Sequence, residues 1–143
     1  MNTAVQEPAS ALAPPALAPR AFYPNLVTAR FYETWDFYTT QLGFRTVAEH
    51  QAYVHLAHPD GHQLGVLRHE VDGELAELVS GTDGRGFWIS MDVPDADREY
   101  ARLLAAGVPV AAPIENKPWG DRQFMVRDPN GVLIAIAQRL TSG

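Results

Sequence analysis

The chain contains no cysteine, which at once excludes a disulfide framework, a thiolate metal site and a cysteine nucleophile. No apolar run comes near the roughly 20 residues needed to span a bilayer, and the N-terminus shows neither a basic n-region nor an apolar h-region. A soluble, cytoplasmic protein without a membrane partner is expected. Positive charge is scarce: 11 basic residues stand against 17 acidic ones, for a formal net charge of −6. Binding a phosphate backbone needs a positive face, so no nucleic-acid partner is expected, while neutral or cationic ligands are favoured. There is no Ser-His-Asp order, phosphate loop or dinucleotide fingerprint, so hydrolase and kinase readings have no support.

With 143 residues the chain can bury one substantial core but hardly two. Residues 1–21 are rich in Ala and Pro, with four prolines from Pro8 to Pro19, and read as a flexible tail without function. Residues 22–138 read as a single domain. A strand over Phe22 to Thr28 is followed by a helix whose Phe31, Trp35, Tyr38 and Leu42 share one face, and Gly43 stops it. Three strands follow: Phe44 to Glu49, Ala52 to Ala57 and Gln63 to His69. The last two are joined by a Pro59-Asp60-Gly61 turn.

The second half repeats that order. Phe87 to Met91 is a strand, Pro94 and Asp95 open a helix, and Ala96, Tyr100, Leu103 and Leu104 form its buried face up to Gly107. Val108 to Ile114, Arg122 to Val126 and Val132 to Ala137 are three more strands, the last pair closed by the turn Asp128-Pro129-Asn130-Gly131. The two Pro-x-Gly turns lie 70 residues apart and the helix-ending glycines 64 apart. The difference falls in a longer second loop, Pro113 to Arg122. A βαβββ unit therefore occurs twice, over residues 22–69 and 86–138. The acidic linker 70–85 carries one helical turn over Glu74 to Val79.

Paired βαβββ modules, a helix ending FYTTQLGF and a last hairpin PWGDRQFMVRDPNG resemble the vicinal oxygen chelate superfamily of glyoxalases, extradiol dioxygenases and bleomycin-resistance proteins. The stretches PNLVTARFYETWDFYTTQLGF and KPWGDRQFMVRDPNG are most similar to the bleomycin-resistance branch. The resemblance implies an α+β fold in which each module's four strands curl into half of a cup of mixed sheet, with modules paired across a homodimer. It also implies, for the family's enzymes, one divalent metal held by His, Glu or Gln from the first and last strand of each module. Counted from the turns, the last-strand slots fall on Gly65 and Ala135. Counted back from the helices, the first-strand slots fall near Tyr23 and on Trp88. None of these four is a useful ligand at neutral pH, so no metal cofactor is expected.

All five histidines, His50, His55, His58, His62 and His69, nevertheless lie within twenty residues of one another. His55 and His69 sit at strand positions in phase with Tyr53 and Gly65. They keep open the alternative of one divalent metal in a lyase, isomerase or dioxygenase, with an acid such as Glu49 or Glu70. A further alternative is an acidic interaction module with no small ligand.

In the bleomycin-resistance branch, the PWG tryptophan and an aromatic after LGF stack on the planar part of the drug. The matching residues here are Trp119 and Tyr53, and such rings suit a flat cation through stacking and cation–π contact. Asp121 stands between Gly120 and Arg122, where the branch runs PWGR directly. The expected ligand-binding set is Trp119, Tyr53, Trp88, His69 and Arg122, in a protein that sequesters a planar or cationic small molecule without catalysing a reaction.

Overall fold

The structure, a computed structural model, describes residues 17–69 and 80–140. The tail over residues 1–16 and the turn expected at Glu74 to Val79 lie outside the described residues. The first module comprises β1 (Asn25–Thr28), α1 (Phe31–Asp36) continued by a π-helical segment (Phe37–Gln41), β2 (Arg45–His50), β3 (Tyr53–Ala57) and β4 (Gln63–Arg68). The second comprises β5 (Trp88–Asp92), α2 (Ala96–Ala105), β6 (Val110–Asn116), β7 (Asp121–Arg127) and β8 (Leu133–Arg139). Two four-stranded sheets result, ordered β1-β4-β3-β2 and β5-β8-β7-β6. In each, the first strand pairs in parallel with the last, and the remaining neighbours are antiparallel. This is the α+β arrangement of two βαβββ modules expected from the sequence.

Strand alternation assigns each side chain to a face. Leu26, Val54, Leu56, Leu64 and Val66 of the first sheet and Phe124, Val126, Ile134 and Ile136 of the second belong to one shared apolar core, together with Phe31, Phe37, Tyr38 and Leu103 of the helices. Each such full burial contributes about 1.5–3 kcal/mol. Both helices lie on the core side, α1 against β4 and α2 against β6, β7 and β8. The opposite face of each sheet is therefore turned away from the core.

The helices explain how the two repeats stay in step. Phe31 and Ala96, which open α1 and α2, are 65 residues apart, whereas Gly43 and Gly107 are 64 apart. The extra residue in the first copy is taken up by the π-helical turn, a wider coil than the single α-helix the sequence suggests. That turn buries the adjacent Phe37 and Tyr38 together, where a uniform 3.6-residue period favours only one of them. Both glycines have φ of 80°, the left-handed conformation that ends a helix without a Cβ penalty. Asp95 caps α2 as expected, its side chain accepting from the Arg98 N–H at 3.1 Å.

The turn between β7 and β8 locks the modules together. Asp128 is only 5% exposed, and its Oδ2 accepts the Tyr38 hydroxyl at 2.8 Å across 90 residues of chain. Its Oδ1 accepts the N–H groups of Asn130 at 2.7 Å and Val132 at 3.0 Å. Asn130 in turn takes the Thr28 hydroxyl on its Oδ1 and donates from Nδ2 to Thr34 Oγ1 at 3.0 Å. Asp128 and Asn130 are thus satisfied partly within their own turn and partly by Thr28, Thr34 and Tyr38, so the turn is held in one position on the first helix and β1.

Burial first, and the facing Asp128 carboxylate second, push the Tyr38 phenol well above its ordinary value of 10.0. A group raised in the folded state stabilises fully below its unfolded value, and that stability is lost as pH climbs above it. Urea unfolding of the wild type should therefore weaken above about pH 10, with a shallower decline in Tyr38→Phe. At neutral pH, Tyr38→Phe should lose about 2 kcal/mol, and Asp128→Ala, which strands three buried donors, about 4 kcal/mol. An Asp128→Ala midpoint equal to wild type would overturn the account of the lock.

Candidate functional site

On the outward face of the first sheet, side chains form a hydrogen-bonded chain. The Tyr53 hydroxyl lies 3.0 Å from Asn25 Oδ1 and 3.1 Å from His55 Nδ1, and His55 Nε2 lies 2.6 Å from Gln63 Oε1. Tyr23 meets the His55 ring edge-to-face with centroids 4.6 Å apart. Partial burial, and then the neighbouring Tyr23, raise the Tyr53 phenol above its ordinary range. At the centre is Gly65, opposite Asn25 on one side and His55 on the other. A Cβ at Gly65 would overlap Asn25 Oδ1 and the Tyr53 hydroxyl. The position lacks a side chain because its neighbours occupy the space.

The corresponding face of the second sheet carries Trp88, 60% exposed, whose Nε1 donates to Ser90 Oγ at 3.0 Å. Ala135 lies between Ser90 and Met125 in the ladder, and Trp88 lies opposite Leu133. The parallel ladder sets Asn25 beside Gly65 and Ser90 beside Ala135, two residues further along each first strand than Tyr23 and Trp88.

The donor set at these slots does not fit a divalent ion. An amide and a hydroxyl replace the expected imidazoles and carboxylates, and both ring nitrogens of the nearby His55 are engaged by Tyr53 and Gln63. Glu49 pairs with the core-facing Val54, so it lies on the opposite side of the sheet from His55. Glu70 falls outside the described residues. His58 and His62 flank their turn, where the His58 N–H donates to the His62 carbonyl at 2.7 Å. Among the described residues, no group of three or more His, Asp or Glu could hold a metal ion.

The remaining expected ligand residues are dispersed. Trp119 sits in the turn between β6 and β7, 65% exposed, with Lys117 Nζ 5.9 Å from its ring centre. Gly120 has φ of 98°, which lets the turn close through Gly120 N–H on the Lys117 carbonyl at 3.0 Å. His69 follows β4, half-buried, donating its backbone N–H to the Thr28 carbonyl at 3.0 Å.

Arg122 departs from the expected set. It shares the core-side phase of Phe124 and forks onto both carboxylate oxygens of Asp97 in α2, at 2.9 and 3.0 Å, holding that carboxyl below its usual range. It fastens a helix to its sheet and does not reach the face that bears Trp88. Among the described residues, no ring contact joins Trp88, Trp119 and Tyr53.

A cleft of about 590 Å³ lies between the modules; none of the five expected residues lines it, though Gln63 and Ser90 do. Its acidic rim of Asp60, Asp92 and Glu99 is visible in the sequence only as scattered charges on separate elements.

Residues 21–136 match the model of the Glyoxalase/Bleomycin resistance protein/Dioxygenase superfamily. No curated protein matches the chain. Among solved structures, a glyoxalase/bleomycin resistance protein/dioxygenase from Nocardioides is 24% identical with a TM-score of 0.74, covering 96% of this chain and 93% of that one. TioX from Micromonospora sp. ML1 is 25% identical with a TM-score of 0.67, covering 85% and 100%. TnmS3, an antibiotic binding protein from Streptomyces sp. CB03234, is 26% identical with a TM-score of 0.67, covering 87% and 98%.

The overlap at Gly65 makes a specific demand. Gly65→Ala should displace Asn25 or Tyr53 and cost about 2 kcal/mol by overpacking, read as a lower thermal midpoint. Asn25→Gly in the same chain should recover most of that loss. Full stability in Gly65→Ala alone would show that the Asn25–Tyr53 contact does not require the glycine.

Proposed function

The chain belongs to the glyoxalase/bleomycin resistance protein/dioxygenase superfamily, and on that premise we propose that it is a metal-free binding protein that sequesters a planar or cationic small molecule. One observation carries this reading. Where a metal ion would need charged or imidazole donors, neutral Asn25, Tyr53 and Gln63 present hydrogen-bonding edges on the first sheet, and on the second Ser90 lies beside an outward-facing indole, Trp88. Such a face can orient a flat ligand through its polar edge and hold it by stacking. It offers no Lewis acid and no paired acid and base.

The likeness to an antibiotic binding protein at 26% identity supports the same class. Two indoles left 60% and 65% exposed are costly in water and gain most from a ligand or a second subunit. Since Trp88, Trp119 and Tyr53 lie apart within one chain, a homodimer that sets the outward face of one copy against that of another is the assembly that would bring them round one ligand. The net charge of −6 draws cations toward it. His69, in phase with Gly65 at the end of β4, lies at the margin of this surface, and Arg122 is left out of it because Asp97 holds it.

The test is a titration of chelator-treated protein with metal-free bleomycin, followed by tryptophan fluorescence. Saturable quenching at micromolar or tighter concentrations is expected, unchanged by added divalent ion and weakened about tenfold in Trp88→Ala or Trp119→Ala, the loss of roughly one stacking contact. A flat titration rejects a bleomycin-like ligand. Turnover of a substrate that depends on added metal would reject binding without catalysis.

A further inference from the structure

The duplicated modules meet at two seams that the internal repeat makes equivalent, and only one of them is closed. At the closed seam the turn of the second module, through Asp128 and Asn130, engages Thr28, Thr34 and Tyr38 of the first. The repeat offsets are 70 residues at the turns, 65 at the first strands and helix starts, and 64 at the helix ends. They map these five residues onto His58, Asp60, Val93, Glu99 and Arg102. All five line the cleft of about 590 Å³.

The sequence at the second seam explains why it stays open. The Asn130–Thr34 hydrogen bond has as its counterpart two carboxylates, Asp60 and Glu99, neither of which has a proton to donate to the other. Thr28 is replaced by Val93, which has no hydroxyl to offer. The acceptor Asp128 becomes His58, whose Nδ1 turns to Asp60 at 3.8 Å. Arg102 is already engaged, by Glu99 at 3.0 Å and by the Gln41 carbonyl at 2.9 Å. Asp92, also on the rim, makes no ion pair or side-chain hydrogen bond among the described residues.

Beneath this rim the floor is apolar, formed by Leu42, Phe44, Leu64, Ile89, Met91 and Ile136. A volume of this size lies within the roughly 300–1,000 Å³ of small-molecule sites. Asp60 and Asp92 over an apolar floor, with Glu99 and Arg102 paired to each other, complement an amine carried on a hydrophobic body. We infer that this open seam is a second ligand site, adjoining the outward sheet faces at Gln63 and Ser90, that binds a hydrophobic organic cation: its ammonium takes the place beside Asp60 and Asp92 that hydrogen bonds fill at the closed seam.

This goes beyond the proposed sequestering site, and the experiment separates the two. Naphthylethylamine, naphthylethanol and naphthylacetate are each titrated into the full chain, and backbone amide shifts are followed by heteronuclear NMR. The amine should saturably shift His58 to His62 and Ile89 to Val93, bind about tenfold tighter than the alcohol and weaken as salt rises. The acetate should not bind. Asp92→Asn, an exposed change that spares the fold, should weaken the amine about fivefold and leave the alcohol unchanged. Trp88→Ala and Trp119→Ala should leave the amine's affinity intact, whatever they do to bleomycin.

Equal binding of amine and alcohol would overturn the charge assignment. Shifts confined to Asn25, Tyr53 and Ala135 would place the ligand on the sheet faces and overturn the second site. Cleft shifts that track protein concentration, with no response to the amine, would assign the seam to a second copy of the chain and overturn it equally.

Discussion

The buried carboxylate of Asp128 is the constraint on which the rest of the arrangement depends. A charge 5% exposed in an apolar interior is tolerable only when donors surround it. Here one donor comes from the first helix and two from the backbone of its own turn. That requirement fixes the last hairpin against the first helix and sets the two sheets on opposite sides of one core. It thereby commits one face of each sheet to the interior and leaves the other for ligand or partner. Tyr38 can serve because the π-helical turn brings it and Phe37 inward together.

Duplication gives the molecule two versions of each local structure, and the differences between copies are where function can reside. At the sheet faces, Asn25 and Gly65 in one copy become Ser90 and Ala135 in the other, so one pair presents an amide and the other a hydroxyl. At the seams, a knot of hydrogen bonds around the Asp128 carboxylate in one place becomes an acidic, unsealed cleft in the other. The two kinds of surface differ in what they present, hydrogen-bonding edges and an exposed indole on the faces and carboxylates over an apolar floor at the seam.

Much of the fold was legible because it rests on local signals. Pro-Asp-Gly and Asp-Pro-Asn-Gly mark hairpins by backbone preference, Gly43 and Gly107 stop helices, and alternating apolar residues assign strand faces. The site was legible only in part. Slots counted from turns fell on Gly65 and Ala135, because a tight turn determines register over a few residues. That Asn25 and Ser90 are the ladder partners of these two positions was not legible, because the loop between strand and helix carries no register and only the parallel ladder sets it. Arg122 looked like a ligand group beside the PWG loop, yet its phase with Phe124 turns it to Asp97, 25 residues away in the chain.

By itself the sequence determined the duplicated βαβββ order, the acidic balance and the lack of any thiolate, since each is a property of residue type and short spacing. Only the tertiary structure decided that Tyr53, His55, Asn25 and Gln63 form one hydrogen-bonded surface, that Tyr38 meets Asp128, and that Asp60, Asp92 and Glu99 converge on one cleft. Those groups are brought together by ladder pairing and by packing between modules. The free energy of a contact between residues distant in the chain depends on the whole closed arrangement, and no local pattern encodes it.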